Sequence, residues 1–295
     1  MRRLAIAAVL ALALGLGGCG IGTPEAATGD TRARFDQALH DQLPQSVRDR
    51  GTIRFVTDAS YAPMEQFAAD GRTIIGFEPD LAAAISQVLG IKIEMVNGAF
   101  ETALDRVADG TYDAVLAAMT DTPERRKKAD FVDYFSAGTS ILVQHGNPHH
   151  IAIFANLCGS AVATEKGTVQ ADLLRSSQTG CGSRPMRIGE YRTNADALVQ
   201  LRTGRAVAVL NDYPVAAYLA GEARTRNNYQ LASDAQYEPR LIGIPFAKGN
   251  TRLRNAVLGA LDQLIASGVY DDLLQRWGLG IGAVKAATVN GAYTT

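Results

Sequence analysis

The sequence has few cysteines and histidines, and it carries almost no net charge. Its 295 residues include only three cysteines and four histidines, and the formal net charge is −1. A near-neutral chain of mixed charge lacks the basic surface of nucleic-acid-binding proteins, which argues against a nucleic-acid partner. His149 and His150 follow Pro148 in a polar stretch where solvation is expected, and no histidine stands at metal-ligand spacing. We therefore predict no metal site and no cofactor.

Long hydrophobic runs are also absent, apart from one at the N-terminus. Two arginines precede an apolar stretch over residues 4–16, which leads into the sequence LGGC ending at Cys19. This pattern is typical of a signal peptide, and the run is short for a membrane span. Its end resembles a bacterial lipobox, so we predict a lipoprotein signal peptide over 1–18 and a lipidated Cys19 followed by a flexible tether over 19–31. The alternative is an ordinary signal peptide with an incidental cysteine.

The other two cysteines are predicted to pair with each other. With Cys19 assigned to lipid, Cys158 and Cys181 remain. An exported chain reaches an oxidising compartment, where such a pair forms a disulfide. The alternative is two unrelated buried thiols.

The predicted location is the cell membrane, with the lipid-anchored chain facing the periplasm or the outer surface of the cell.

Short β-rich runs alternate with amphipathic helical patterns from residue 52 onward. We predict strands over 53–56 and 91–96, helices over 79–89 and 100–108, and a helical lead-in over 32–51. Such alternation favours an α/β fold with parallel strands and helices packed on the sheet.

One pattern occurs twice in the chain and suggests two similar lobes. A helical pattern ends at Gly110 and again at Gly204, and each copy leads into an apolar strand followed by polar residues. Open α/β sheets bind ligands at the carboxyl ends of their strands. Two such edges facing each other would form a cleft, although any α/β chain repeats to some extent.

The segment 112–125 gives the clearest local indication of a binding site, and it reads YDAVLAAMTDTPER. An apolar strand leads to Thr120 and Thr122, and a proline-initiated helix then carries Arg125. Hydroxyl groups, free N–H groups at a helix start and a guanidinium can converge on one carboxylate. The alternative is that Arg125 is one solvated charge in the run ERRKK.

The chain resembles family 3 of the bacterial solute-binding proteins, which deliver polar amino acids to ABC importers. The segments that carry the resemblance are TDASYAP at 57–63, GFEPDL at 76–81, YDAV at 112–115, TPER at 122–125, GT at 167–168, ND at 211–212, GVY at 268–270 and WG at 277–278. Each fragment is weak alone, but the ordered set is specific and extends from about residue 52 to residue 279.

The resemblance implies the type II periplasmic-binding-protein fold, in which two α/β lobes are joined by two strand crossings that act as a hinge. The crossings are expected near 137–140 and 236–241. The implied limits are 52–138 plus 241–280 for lobe 1, 140–237 for lobe 2 and 281–295 for a C-terminal tail.

The resemblance also implies how a ligand carboxylate would be held. Arg125 would bind both carboxylate oxygens, supported by Thr120 and by the amides near Ala118. The amides of Thr168 and Val169 would donate from the other lobe. Valine at 169 replaces a threonine of many relatives, so that position offers only its backbone.

The rest of the implied ligand site holds the ammonium group and the side chain. Asp212 would accept from the ammonium group, although it also suits a helix N-cap before Pro214. Tyr61 and Phe100 would enclose the side chain, with a core position as the alternative for Phe100. Asp58 and Glu78 would lie at the far end of the pocket and favour a ligand with donor groups, although Glu78 also fits a purely structural helix entry.

The function implied by the resemblance is capture of a polar amino acid by a lipid-anchored monomer and delivery to an ABC transporter permease. One alternative is an amino-acid sensor for a separate signalling partner. Another is an enzyme resembling the cyclohexadienyl dehydratases, which share this scaffold. We predict no enzymatic activity, because the sequence lacks a Ser/His/Asp set, a glycine-rich phosphate loop and a metal cluster.

Overall fold

The computed structural model of the chain describes residues 33–291. The predicted signal peptide, Cys19 and the tether lie outside these residues. Within residues 33–291, no helix is long and apolar enough to cross a bilayer.

Thirteen strands and ten α-helices make up the described part of the chain. The strands are β1 (Thr52–Thr57), β2 (Ser60–Tyr61), β3 (Glu65–Phe67), β4 (Ile74–Ile75), β5 (Lys92–Asn97), β6 (Ala114–Val115), β7 (Ala129–Gln144), β8 (Ala161–Glu165), β9 (Arg187–Tyr191), β10 (Ala208–Asp212), β11 (Tyr229–Leu231), β12 (Tyr237–Ala247) and β13 (Thr288–Val289). The helices are α1 (Gln37–Gln42), α2 (Gln45–Arg50), α3 (Phe77–Leu89), α4 (Phe100–Ala108), α5 (Pro123–Arg126), α6 (Val169–Ser177), α7 (Asn194–Arg202), α8 (Tyr213–Gly221), α9 (Thr251–Ala266) and α10 (Val269–Trp277).

Most strands belong to one mixed sheet with the order β5-β1-β6-β12-β7-β10-β8-β9. In its first half, β1 runs parallel to β5 and β6, and in its second half, β8 runs parallel to β9 and β10. The central pair, β7 and β12, is antiparallel. A small separate sheet contains β2, β3 and β4. This architecture is the α/β arrangement that the alternation of patterns predicts.

The two longest strands, β7 and β12, connect the two halves of the sheet. The early residues of β7 pair with β12, and its late residues pair with β10 and β11. Both predicted crossings fall on this pair, where the register is irregular between Tyr237 and Arg240. The residue limits of the two lobes stay a prediction.

Helix boundaries follow the capping residues in the sequence. The Thr122 hydroxyl accepts from the Arg125 N–H at 3.2 Å, and Pro123 occupies the first turn of α5. Proline and a hydroxyl cap suit a helix start, because the first N–H groups have no partner inside the helix. At the other end of a helix, Gly90 adopts φ 59° and terminates α3.

The helical lead-in was predicted as one continuous element, but the structure divides it into two helices. The chain forms α1 and α2, which are separated at Leu43 and Pro44. Proline has no N–H to continue α1 and restricts the residue before it. Leu43 is fully buried at this break, whereas Phe35 is 54% exposed.

Cys158 and Cys181 form the predicted disulfide, with an S–S distance of 2.01 Å and Cα atoms 5.2 Å apart. Cys158 follows a 3-10 turn over Phe154–Leu157, and Cys181 ends another over Gln178–Cys181. The bond therefore connects two irregular segments that flank β8 and α6, next to the second half of the sheet.

Removing this disulfide is expected to destabilise the protein. The two cysteines are 23 residues apart, and opening a loop of this size lowers the free energy of unfolding by about 3 kcal/mol on the chain-entropy model. Urea unfolding of the oxidised protein and of a Cys158→Ala/Cys181→Ala variant measures the difference. Thiol titration of the denatured, unreduced protein should find both positions unreactive, and two free thiols there would contradict the disulfide.

Candidate functional site

A small, partly enclosed cavity lies between the two halves of the sheet. Its lining residues are Asp58, Tyr61, Glu65, Phe100, Ala117, Ala118, Thr120, Arg125, Glu165, Thr168, Val169, Gln170 and Asp212. Every residue predicted for ligand binding lines it except Glu78. The sequence-based site lacked Glu65, Ala117, Glu165 and Gln170.

The topology explains why these residues meet. Asp58 follows β1, the segment after β6 contributes Ala118, Glu165 ends β8, and Asp212 ends β10. These positions are the carboxyl ends of parallel strands from both halves of the sheet, where open α/β sheets bind ligands. Glu165 carries the same signal as Asp212, an acid at the end of an apolar strand, so that signal could have identified it.

Arg125 enters the cavity from α5. Its guanidinium donates to the carbonyl oxygen of Thr120 at 2.7 Å and to that of Gly167 at 2.9 Å, and it lies 5.5 Å from the centroid of the Phe100 ring. Burial lowers the pKa of Arg125 to about 10, so it stays charged at neutral pH. Among residues 33–291, no carboxylate forms an ion pair with it. This cation therefore has hydrogen-bond acceptors but no compensating anion in direct contact.

Asp212 supplies a negative charge to the same cavity. Its carboxylate accepts from the Tyr61 hydroxyl at 2.8 Å and from Gln170 Nε2 at 2.9 Å. Burial raises the pKa of Asp212 to about 6, so the carboxylate is mostly ionised at pH 7. Asp212 occupies the N-cap position of α8, but its side chain makes no capping hydrogen bond. The carboxylate therefore lines the cavity and does not cap the helix.

The N-terminus of α6 faces the same space. Thr168 caps this helix, accepting from the Ala171 N–H at 3.2 Å and donating to the carbonyl oxygen of Glu165 at 2.7 Å. Its hydroxyl is thus already engaged. The first amides of a helix have no partner within it and favour a negative charge. The amides of Thr168 and Val169 therefore add to the positive side of the cavity.

Glu78 lies beneath the cavity and not in its wall. Its carboxylate is fully buried and accepts from the Ala118 N–H at 2.7 Å and from the Tyr134 hydroxyl. Glu78 therefore occupies the Ala118 amide, which was expected from the sequence to donate to the ligand, and that ligand contact stays a prediction. Ala118 adopts φ 45°, a left-handed conformation that L-residues rarely adopt. Glu78 supports this turn and so has the structural role that the sequence left open.

Three further carboxyl groups, those of Asp58, Glu65 and Glu165, line the cavity and are buried. Burial raises the pKa of all three, that of Glu165 to about 9 with the charge of Asp58 as the next cause. One oxygen each of Glu65 and Glu165 has no hydrogen-bond partner within the described part of the chain. The cavity therefore offers acceptors in excess. No group of three or more metal-ligating side chains in residues 33–291 is arranged to hold a metal ion.

The two halves of the sheet touch across this cavity. Tyr61 of β2 bonds to Asp212, Arg125 of α5 bonds to Gly167, and Lys166 Nζ lies 2.8 Å from Glu101 Oε1, so elements on both sides of the cavity are joined. Gly167 has φ 80°, and a Cβ there would lie 3.1 Å from the Glu101 Cα. The structure is therefore a closed form, in which glycine permits a close backbone approach.

Residues 53–280 match the family model of the bacterial extracellular solute-binding proteins, family 3. The chain belongs to this family. An arginine-binding protein of Corynebacterium glutamicum is 30% identical over 256 residues, which are 85% of this chain and 82% of that protein. The glutamine-binding protein of a Bacillus subtilis ABC transporter is 31% identical over 209 residues, 69% of this chain and 72% of that protein.

Solved structures of amino-acid-binding proteins have the same architecture. An ancestral arginine-binding protein bound to arginine matches with a TM-score of 0.71 and 29% identity, covering 77% of this chain and 98% of that structure. An ancestral amino-acid-binding protein, a precursor of cyclohexadienyl dehydratase, matches with a TM-score of 0.70 and 33% identity, covering 79% and 97%. These matches confirm the predicted two-lobe type II fold.

Proposed function

We propose that this family 3 protein captures a free amino acid between its two lobes and delivers it to an ABC importer. One observation carries the proposal. Arg125 and Asp212 bring opposite charges to the same buried cavity, but these two residues do not form an ion pair with each other. A zwitterionic ligand compensates both charges, because its carboxylate can pair with Arg125 and its ammonium group with Asp212.

The energetics of burial support a zwitterion. A charge that loses water without gaining a partner costs several kcal/mol, so both ends of the ligand must be paired. The Arg125 fork and the α6 amides suit the carboxylate, and Asp212 is a pure acceptor for the ammonium group. The ligand would replace contacts that Arg125 and Asp212 now make within the chain.

The same geometry links binding to closure. Arg125 lies on α5, which follows β6 of the first half of the sheet, and Asp212 ends β10 of the second half, so a ligand between them contacts both sides of the cavity. A ligand shifts a conformational equilibrium only by its differential affinity for the two states. An amino acid held by both residues would favour the closed form, which would then dock on the transporter permease.

The excess of acceptors supports a ligand side chain with donor groups. The side-chain carboxylate of glutamate or aspartate would add one more acidic group beside Asp58, Glu65 and Glu165, which already crowd this part of the cavity. Glutamine, arginine, lysine and histidine each bring at least one N–H donor. Several similar proteins are named for arginine or glutamine, and one from Escherichia coli for L-cystine.

Anchoring and partners complete the proposal. We infer that the signal peptide over 1–18 is removed and that lipid on Cys19 tethers a monomer to the outer side of a membrane. Its partners would be the free amino acid and the permease subunits beneath it. Metabolic labelling with a fatty acid analogue tests the anchor, and loss of label in Cys19→Ala is the expected result.

A second candidate function is a dehydratase-like enzyme on the same fold. The observation that favours it is Glu165, a buried acid whose raised pKa of about 9 keeps it protonated at neutral pH. A general acid in a cleft needs that property. The proposal remains a binding protein without chemistry, because Arg125 and Asp212 suit a zwitterion.

A thermal-shift panel of the common amino acids, cystine and prephenate tests the proposed function. A ligand present at 100 times its dissociation constant adds roughly 2.7 kcal/mol to stability, which gives a clear shift. We expect one or a few amino acids with donor side chains to respond. Silence from every amino acid, or a response to prephenate alone, would favour the enzyme.

A further inference from the structure

Asp58 and Glu165 approach each other from opposite halves of the sheet. Asp58 follows β1 and Glu165 ends β8, and their exposed fractions are only 6% and 5%. Both side chains line the same small cavity, and the charge of Asp58 is, after burial, the next cause that raises the pKa of Glu165. Two ionised carboxylates buried side by side repel each other, and burial penalises the ionised form of each. Closing the cavity without a ligand therefore favours a proton on this pair.

No cation of the described chain neutralises this pair by direct contact. Arg192 acts on Asp58 electrostatically but is exposed, and Lys166, next to Glu165, is bonded to Glu101. One oxygen of Glu165 has no hydrogen-bond partner among residues 33–291. The titratable groups that face Glu165 are Asp58, Tyr61, Glu65, Asp196 and Asp212. All five are acidic groups, so a positive charge is what this part of the cavity lacks.

We propose that Glu165 selects for a cationic ligand side chain. Glu165 and Asp58 form a carboxyl pair, and when the lobes close, the charge of this pair must be neutralised by either a ligand cation or a proton. This inference rests on the proposed amino-acid binding and names its ligand class. The ligand is an amino acid with a guanidinium or ammonium group, such as arginine or lysine.

The physical reason is the energy of closing two charges into a dry cavity. When the lobes are open, water screens both carboxylates. When the lobes close, their repulsion must be compensated, and burial also penalises the ionised form. A guanidinium between the pair donates to both sides and lets both stay ionised. A neutral side chain supplies no charge, so the pair must keep one proton.

The two complexes therefore differ by one bound proton. The ligand-free form is common to both binding reactions, so it cancels in the ratio of the two dissociation constants. As pH rises, the complex with the neutral ligand becomes harder to form, whereas the complex with the cationic ligand does not. The ratio rises up to tenfold per pH unit until the pair in the neutral complex loses its proton. In the ligand-free closed form, burial raises the pKa of Glu165 to about 9.

Arginine and citrulline test this inference, because citrulline has nearly the same shape but a neutral ureido group. Calorimetric titrations of the intact protein at about pH 6 and about pH 8 should show the citrulline-to-arginine ratio of dissociation constants rising by up to about 100-fold. Glu165→Gln should weaken arginine binding by about tenfold or more and remove the pH dependence of the ratio. Glu190→Gln is the matched control, since Glu190 lies opposite Thr164 on β9 and pairs with Arg175.

The outcomes separate this inference from the proposed function. If Glu165→Gln does not fold, Asp58→Asn should remove the same pH dependence. A pH-independent ratio in the wild type, an unchanged ratio in the variants, or binding of neutral and acidic amino acids alone overturns the role of Glu165 and leaves amino-acid binding intact. If no amino acid binds at all, both are wrong.

Discussion

Arg125→Ala is expected to abolish amino-acid binding while the protein stays folded. The ligand carboxylate would enter the cavity without its main partner, and truncating one member of a buried charge pair costs about 2–5 kcal/mol, roughly 30-fold to several-thousand-fold in Kd. The fold should persist, because the helix cap uses the backbone N–H of residue 125 and the guanidinium bonds only to two carbonyl oxygens.

Lys127→Ala is the matched control for Arg125→Ala. Lys127 follows α5, its side chain is 75% exposed, and it pairs with exposed Glu124. Exposed ion pairs contribute little to stability, so this variant should bind the ligand identified in the thermal-shift panel as the wild type does. Calorimetry of both variants measures affinity, and circular dichroism measures the fold. Wild-type affinity in Arg125→Ala would remove the carboxylate role of this residue.

Gly76→Ala is expected to destabilise the protein severely. Gly76 has φ 144°, and a Cβ there would lie 2.2 Å from the backbone oxygen of Met64. A backbone oxygen cannot rotate away as a side chain can. The strain of the positive φ and the overpacking against Met64 therefore both lower the free energy of unfolding. We expect a loss of about 3 kcal/mol or more in the free energy of unfolding. Gly76 also precedes α3, which carries Glu78 beneath the cavity.

Gly71→Ala separates the collision from the effect of losing a glycine. Gly71 also has positive φ, 66°, but no atom lies within 4 Å of the added Cβ. Only the backbone preference is lost there, at about 1 kcal/mol. Urea unfolding of both variants gives the comparison. Equal losses at the two positions would show that the contact with Met64 relaxes easily.

Local signals predicted several parts of the structure well. The helix predicted over 100–108 is α4, because its buried residues recur at helical spacing and polar residues fill the other face. The predicted strand at 91–96 is β5 shifted by one residue. The family resemblance pointed to Arg125 and Asp212, and their local context agreed with it: a capped helix start in one case and a strand end in the other.

Other parts depend on contacts that no local pattern contains. Glu65 lies on a three-residue strand, and only the small sheet brings it to the cavity. Glu78 was placed in the pocket because its segment resembles the family. In the structure, its carboxylate instead accepts a hydrogen bond from the Ala118 N–H and supports the turn there. The break at Pro44 was a local signal that the prediction overlooked.

The position of β12 has a consequence for the order in which the chain can fold. In the first half of the sheet, β12 lies between β6 and β7, although it follows them by about a hundred residues. Pairing of such distant segments has a large loop-closure entropy and slows folding. The second half contains β8 to β11, which all precede β12 in the chain. Synthesis proceeds from the N-terminus, so the strands β1, β5 and β6 of the first half of the sheet are made early. That half is nevertheless completed last, because it has to wait for β12.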